Sequence, residues 1–277
     1  MKVLSLFDGI SVGYHALQSI GIQIDKYYSA EIDPYAIKVS QSNYPDIIQL
    51  GDIRKLNESN LPTDIDICIA GFSCQSFSRS GLRKAFNDPR GMLFWEFKRV
   101  LDIVKPQYFL AENVVGMNKQ CQQIINDALG VESMMIDSAL LTAQRRKRLY
   151  WFNWDVEQPI NRGLVIRDIL NETASDRWTT LDHYSENTKS RILRNVCDIN
   201  SKAQTICCSS RSLGSNGASI IQHPINKSLY RVLNRHELEL LQGLPIGYTN
   251  KVFKTQAIKC LGNSFTSPVI SHILSNI

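Results

Sequence analysis

The segment Asp66-Ile67-Cys68-Ile69-Ala70-Gly71-Phe72-Ser73-Cys74-Gln75-Ser76-Phe77-Ser78 decides the fold. It is an apolar run that ends abruptly in small residues and a thiol. A short continuous apolar stretch bounded by turn residues reads as a strand buried on both faces of a parallel sheet. In open α/β sheets the functional groups lie just beyond the carboxyl ends of such strands, and Cys74 falls there. A second segment of this kind, Gln107-Tyr108-Phe109-Leu110-Ala111-Glu112-Asn113-Val114, ends in a carboxylate and an amide. Taken singly, Cys74 is more simply a buried inert thiol, and Glu112 a solvated carboxylate. Side by side, a thiolate and a carboxylic acid can add to an electron-poor ring that the acid protonates.

Outward from these two strands the first two-thirds of the chain alternates strand-like and helix-like runs. Lys2 to Phe7 reads as a strand, followed by Asp8-Gly9-Ile10-Ser11-Val12-Gly13 and a helix to about Ile20. Lys26 to Glu31 is the next strand, and Asp33-Pro34 is a sound helix start. A short strand over Ile47 to Leu50 ends in Gly51-Asp52. A helix spans about Met92 to Val104, and Ser133 to Ser138 and Arg148 to Trp154 form an antiparallel addition at one edge. This alternation specifies an α/β fold, a doubly wound and mostly parallel sheet. From Asp155 to Lys227 the rhythm is lost, and a small loop-rich lobe is expected there. Residues 1–154 and 228–277 then form the main domain. Helical patterning returns over Asn234 to Leu241, stopping at Gly243 and Pro245, and again over about Ser267 to Ser275.

At 277 residues, with 43% hydrophobic and 21% charged residues, the chain suits one large folded domain with a small lobe. The net charge of +5 permits a polyanionic partner without demanding one. Seven cysteines without CxxC or Cys/His ligand spacing point to reduced thiols and no metal. No apolar run reaches membrane-spanning length, and no signal peptide opens the sequence, so a cytoplasmic enzyme is expected.

The turn after the first strand lacks the GxGxxG spacing that cradles a pyrophosphate. Acidic residues at the ends of the first three strands, Asp8, Glu31 and Asp52, suit a ligand rich in hydroxyls and an amino group. An adenosine carrying a sulfonium amino acid fits that description, although each carboxylate alone is more simply a helix cap. The cluster Gln144-Arg145-Arg146-Lys147-Arg148 runs into a strand, where alternation would turn Arg146 and Arg148 to one side. Two converging guanidiniums can bind phosphate or polarise a substrate oxygen. The basic, glycine-flanked stretch Arg79 to Gly91 suits a loop closing on a polyanion.

In this order the pieces resemble the C5-cytosine DNA methyltransferase family. The resemblance rests on Phe7-Asp8-Gly9, Glu31, Asp52, Gly71-Phe72-Ser73-Cys74-Gln75, Glu112-Asn113-Val114, Gln144 to Arg148, Leu241-Gln242-Gly243-Leu244-Pro245 and Gly262-Asn263-Ser264. Phe-Asp-Gly-Ile and Glu-Asn-Val-Val-Gly-Met look most like the animal de novo enzymes, in a single-domain bacterial or phage form. It implies the sheet of S-adenosylmethionine-dependent methyltransferases, with 155–227 as target-recognition lobe. The methyl donor would be S-adenosyl-L-methionine, leaving S-adenosyl-L-homocysteine. Phe7, Asp8, Gly9, Ile10, Glu31, Ile32, Asp52, Ile53, Gly71, Asn263 and Ser264 would bind it. Cys74 would attack C6 of a cytosine flipped out of double-stranded DNA. Glu112 would hold N3 and the exocyclic amine, and Arg148 the carbonyl, with Arg146 in support. Ser76, Arg79, Arg83 and Lys84 would meet DNA, and Thr205, Arg211, Ser212 and Asn216 would read sequence, arginine-to-guanine being the commonest specific contact. A cognate restriction endonuclease would be a natural companion. The family usually has proline before the nucleophile, and Ser73 stands there, which implies slower turnover. Transfer to tRNA cytosine, and a silent DNA-binding partner of an active homologue, are the competing readings.

Overall fold

Lys2–Leu6 form β1, in which Leu4 and Leu6 face one side of the sheet and Val3 and Ser5 the other, all fully buried. The computed structural model that shows this describes residues 1–72, 92–173, 176–210, 212–215 and 217–277. Ser73, Cys74, Gln75, Ser76, Arg79, Arg83, Lys84, Arg211 and Asn216 lie outside the described residues. Packing divides the chain into two units. One comprises Met1–Asp137, Lys147–Gln158 and Val269–Ile277, the other Ser138–Arg146 and Pro159–Pro268.

In the first unit β1 is followed by α1 (Val12–Ser19), β2 (Lys26–Ala30), α2 (Pro34–Asn43), β3 (Ile48–Gln49) and β4 (Ile67–Gly71). Asp33 caps α2 by accepting the Tyr35 N–H, with Pro34 at the first helical position, as its sequence dictates. Then come α3 (Met92–Val104), β5 (Tyr108–Val114), α4 (Lys119–Leu129), β6 (Met134–Asp137) and β7 (Lys147–Phe152). The sheet order is β3-β2-β1-β4-β5-β7-β6. Strands β1 to β5 pair in parallel, whereas β7 runs antiparallel to both neighbours. The expected antiparallel addition is therefore one reversed strand slotted between β5 and β6. Strand order reverses at β1 and β4, the topological switch point that opens a crevice at the strand ends.

One face of this sheet is closed by α3 and α4. Phe94, Phe97, Val100, Cys121 and Ile125 pack with Leu4, Leu6, Cys68, Ala70, Ala111 and Trp151 in one cluster. Each fully buried large side chain there contributes roughly 1.5–3 kcal/mol. Phe72, the last described residue before the thiol-bearing segment, stacks on Phe97 at 6.1 Å between centroids and is thereby pinned.

The second unit contains α5 (Glu186–Arg194), β8 (Ile220–Gln222), β9 (Tyr230–Val232), α6 (Arg235–Leu241) and α7 (Lys254–Asn263). Within 155–227, expected to be a loop-rich lobe, lie helix α5 and strand β8, around a small core of Ile192, Leu213, Ala218 and Ile220. Helix α6 starts at the Asn234/Glu237 capping box. The Glu237 carboxylate is fully buried and makes two 2.7 Å bonds with Arg231, so the charge is paired fork to fork. The last helix, α8 (Ser267–Leu274), returns to the first unit from Val269. There Ser271 meets Ser19 of α1 at 2.8 Å, on the sheet face opposite α3 and α4.

Candidate active site

At the carboxyl end of β5, Glu112 is the register partner of Gly71 on β4 and of Tyr150 on β7. Val114, two residues on, is opposite Arg148. Glu112 and Arg148 are therefore diagonal neighbours on one face, and Arg148 Nε donates to Glu112 Oε1 at 2.9 Å. Their side chains are only 13% and 14% exposed, so each charge depends on the other. The pair sets a carboxylate acceptor and a guanidinium donor at one strand end. A planar group with an amine on one side and a carbonyl on the other would match it. Cys74 follows Gly71 by three residues.

Asn113 is buried, and Val114 N–H donates to its Oδ1 at 2.7 Å while its Nδ2 donates to the Phe72 carbonyl at 3.2 Å. The amide thus fastens β5 to the last described residue ahead of Cys74. Sequence reasoning gave it no role; an amide directly after a strand-end carboxylate was the available signal.

Arg146 does not share the strand with Arg148, because β7 begins at Lys147. Its guanidinium is 3% exposed and donates to the carbonyls of Ile206 (3.2 Å), Gly262 (3.0 Å) and Ser264 (2.8 Å). It holds the second unit together, and alternation along a strand misread its direction. Gln144 is buried in the same unit, bonded to the Gln242 amide oxygen at 3.2 Å and accepting from Ile206 N–H at 2.8 Å. Gln242 also accepts from Thr266 at 2.9 Å, so the two glutamine-bearing motifs join through one buried polar chain.

A cavity of about 210 Å³ at the ends of β1, β2 and β3 is lined by Phe7, Ala30, Glu31, Ile32, Gly51, Asp52, Ile53, Arg54 and Leu93. Glu31 accepts from Gly9 N–H (2.8 Å), Ile32 N–H (2.7 Å) and Asp33 N–H (2.8 Å). A carboxylate offers about four lone-pair sites, which leaves one for a ligand hydroxyl. Asp52 caps the turn Ile53–Lys55, and both its oxygens take the Arg54 guanidinium, Nη2 at 2.6 Å. The hydrogen-bonded Arg54 holds the Asp52 carboxyl below the usual carboxylate range. A ligand amine at Asp52 would share or displace that cation, which the sequence reading did not anticipate; the Asp-x-Arg spacing was its signal. Apolar walls and two carboxylates, with Arg54, the one cation among the described lining residues, already bound to Asp52, suit a nucleoside.

The other expected cofactor residues fall in different places. Ile53 is buried and Ile32 65% exposed, both against the cavity. Ile10 is fully buried in the core, and Gly71 ends β4. Asp8 points away from the cavity, bonded to Tyr27 and Ser11. In the second unit, Asn263 accepts the Cys208 thiol at 3.0 Å, and the buried Ser264 hydroxyl donates to Leu261 at 3.0 Å. Thr205 donates to the Arg145 carbonyl at 2.6 Å, and exposed Ser212 meets Ser215 at 2.9 Å. A larger groove of about 950 Å³ along α3 and α4, lined by Trp95, Lys98, Asp102 and Asp127 among others, holds no strand-end group. Among the described residues no group of three or more metal-ligating side chains comes together, and no helix is long and apolar enough to cross a membrane.

Comparison with known proteins shows the family. The family model for C-5 cytosine-specific DNA methylase matches residues 1–277. Type II methyltransferase M.NlaX of Neisseria lactamica is 31% identical over 298 residues, covering 98% of this chain and 94% of its own. Type II methyltransferase M1.ScrFI of Lactococcus lactis subsp. cremoris is 29% identical over 304 residues, covering 98% and 76%. The Entamoeba histolytica methyltransferase EhMeth superposes with a TM-score of 0.80 at 18% identity, over 100% of this chain and 97% of that one, which shows a shared fold. The chain belongs to the C-5 cytosine-specific DNA methylase family and is a DNA cytosine-5 methyltransferase.

Proposed function

We propose that this enzyme takes S-adenosyl-L-methionine as methyl donor at the ends of β1 to β3 and activates its target base at the end of β5. The cavity of about 210 Å³ lies below the ~300 Å³ usual for a whole small-molecule site, so it corresponds to the nucleoside half. Phe7, Ile32 and Ile53 would sandwich the purine, Glu31 would take a ribose hydroxyl, and Asp52 the exocyclic amine. When bound, the donor supplies an electrophilic methyl group on a sulfonium.

The observation that carries the base-activation assignment is the Glu112–Arg148 pair. Cys74 adds as thiolate to C6 of the cytosine, forming one S–C bond and moving the ring electrons toward N3. Glu112, protonated for this step, gives its proton to N3 and accepts from the exocyclic amine, and Arg148 donates to the carbonyl. The enamine makes C5 nucleophilic; once C5 carries the methyl group, N3 returns its proton to Glu112, solvent water or hydroxide takes the C5 proton, and the C5–H electrons expel Cys74 from C6 as thiolate, restoring the aromatic ring. Extrusion of the base costs a few kcal/mol. Contacts from Ser76, Arg79, Arg83 and Lys84 would offset it, and Thr205, Arg211, Ser212 and Asn216 in the lobe 155–227 would read the sequence. Arg146 is a positioning residue of the second unit in this reading. A cognate restriction endonuclease is the partner that the Type II relatives suggest.

The test is transfer of labelled methyl groups from S-adenosyl-L-methionine to duplex DNA or to tRNA, followed by bisulfite sequencing. Label in duplex DNA at cytosine C5 in a fixed sequence context is expected. Label in tRNA alone would reject the substrate assignment.

A further inference from the structure

The turn Phe7–Ser11 carries three positive φ angles, Phe7 at 56°, Gly9 at 62° and Ser11 at 60°. Two of these are on residues with side chains, where the left-handed region is strained and persists only if the surroundings over-determine it. Glu31 grips the turn on the cavity side through Gly9 N–H at 2.8 Å. From beneath, Asp8 grips it. Its carboxylate is 5% exposed and accepts from the Tyr27 hydroxyl of β2 at 2.7 Å and from the Ser11 hydroxyl that opens α1. Ser11 Oγ in turn lies 2.6 Å from Ser40 Oγ of α2. One carboxylate therefore ties the turn to a strand and two helices.

The surroundings are shaped for this contact. A side chain at Gly13 would stand 2.9 Å from the Tyr27 hydroxyl, so glycine there leaves the tyrosine its path to Asp8. Ser5 and Ser29, register partners on β1 and β2, place two more fully buried hydroxyls beside the carboxylate. A polar well in an otherwise apolar layer carries a cost, and here it sits directly under the turn that presents Phe7 to the cavity.

We propose that Asp8 is a positioning residue for the methyl-donor site, holding the Phe7–Ser11 turn in the shape that the donor binds without touching the donor itself. This rests on the reading of the cavity at β1 to β3 as the donor site. Asparagine can replace it: Tyr27 still donates to the amide oxygen, and the amide N–H can donate to Ser11, whose own proton then turns to Ser40.

Isothermal titration with S-adenosyl-L-homocysteine, alongside donor KM and kcat, tests the assignment. Asp8→Ala is expected to weaken binding at least tenfold, and Asp8→Asn to stay within threefold of the unaltered enzyme. Tyr27→Phe, which loses one hydroxyl and keeps the core, should raise donor KM threefold to tenfold with kcat changed less than twofold. Unchanged affinity in Tyr27→Phe, or Asp8→Asn as weak as Asp8→Ala, overturns the proposal while leaving the donor site standing. Failure of the unaltered enzyme to bind S-adenosyl-L-homocysteine overturns both.

Discussion

Two carboxylates illustrate how environment decides what an acidic residue does. Burial pushes the Asp8 carboxyl up from its usual range, and the Ser11, Ser5, Tyr27 and Ser29 hydroxyls only partly oppose it. Tyr27 is the one titratable group among them. A raised folded-state pKa means that the folded protein binds its proton more tightly than the unfolded chain does. That stabilisation is complete below the ordinary carboxylate value of ~3.9 and fades as pH rises through the folded value. Thermal unfolding of Asp8→Asn against the unaltered protein should show this. The difference should shift in favour of asparagine as pH rises through that window, and a constant difference would contradict it. In the proposed mechanism Glu112 carries chemistry instead. Glu112→Gln keeps the shape and removes the carboxylate that meets Arg148, so kcat should fall about 10²–10⁴-fold with S-adenosyl-L-homocysteine affinity unchanged. A loss confined to donor KM would place Glu112 in the wrong site.

Elements were legible where a local signal coincided with a tertiary demand. Met92 to Val104 and Tyr108 to Val114 declare themselves because their apolar periods match the layers that they fill. Helix α4 was missed although Asn118 caps it, donated to by Cys121 N–H at 2.7 Å, and Gly130 ends it at φ 70°. Its polar face obscures the stripe of Cys121 and Ile125. Helix α5 was missed for a similar reason, since only Ile192 is buried along it. The strand-end positions of Glu31, Asp52, Glu112 and Arg148 could be read from the sequence, but the place of Arg146 could not, because its burial depends on carbonyls 60 and 116 residues away in sequence. Gly243 shows the same dependence on distant partners. It has φ 70°, and a Cβ there would lie 2.2 Å from Pro268 at the start of α8. Gly243→Ala should therefore destabilise by roughly 2–4 kcal/mol, from backbone strain and overpacking together. Chemical denaturation would read it, and a loss under about 0.5 kcal/mol would mean that the α6–α8 junction is looser than drawn.

Over the whole molecule, a parallel sheet with one reversed strand brings the ends of β1 to β3 and of β5 to one edge. The proposed donor and base sites then lie at the same edge of one sheet. The +5 net charge adds a non-specific attraction to DNA. If about five phosphates are neutralised, log affinity should fall with log salt at a slope near −4.5, while S-adenosyl-L-homocysteine binding should vary less than threefold over the same range. A flat salt response for DNA would contradict a phosphate-tracking interface. The central claim is that the base is activated by a reversible bond to Cys74 beside Glu112, and a mechanism-based trap tests it most directly. Duplex DNA with 5-fluorocytosine at the target cannot release the C5 substituent as a proton, so enzyme and methyl donor should give a complex that survives denaturing electrophoresis. Cys74→Ala should give none. A complex that persists in Cys74→Ala, or none with the unaltered enzyme on DNA that it methylates, would contradict the account.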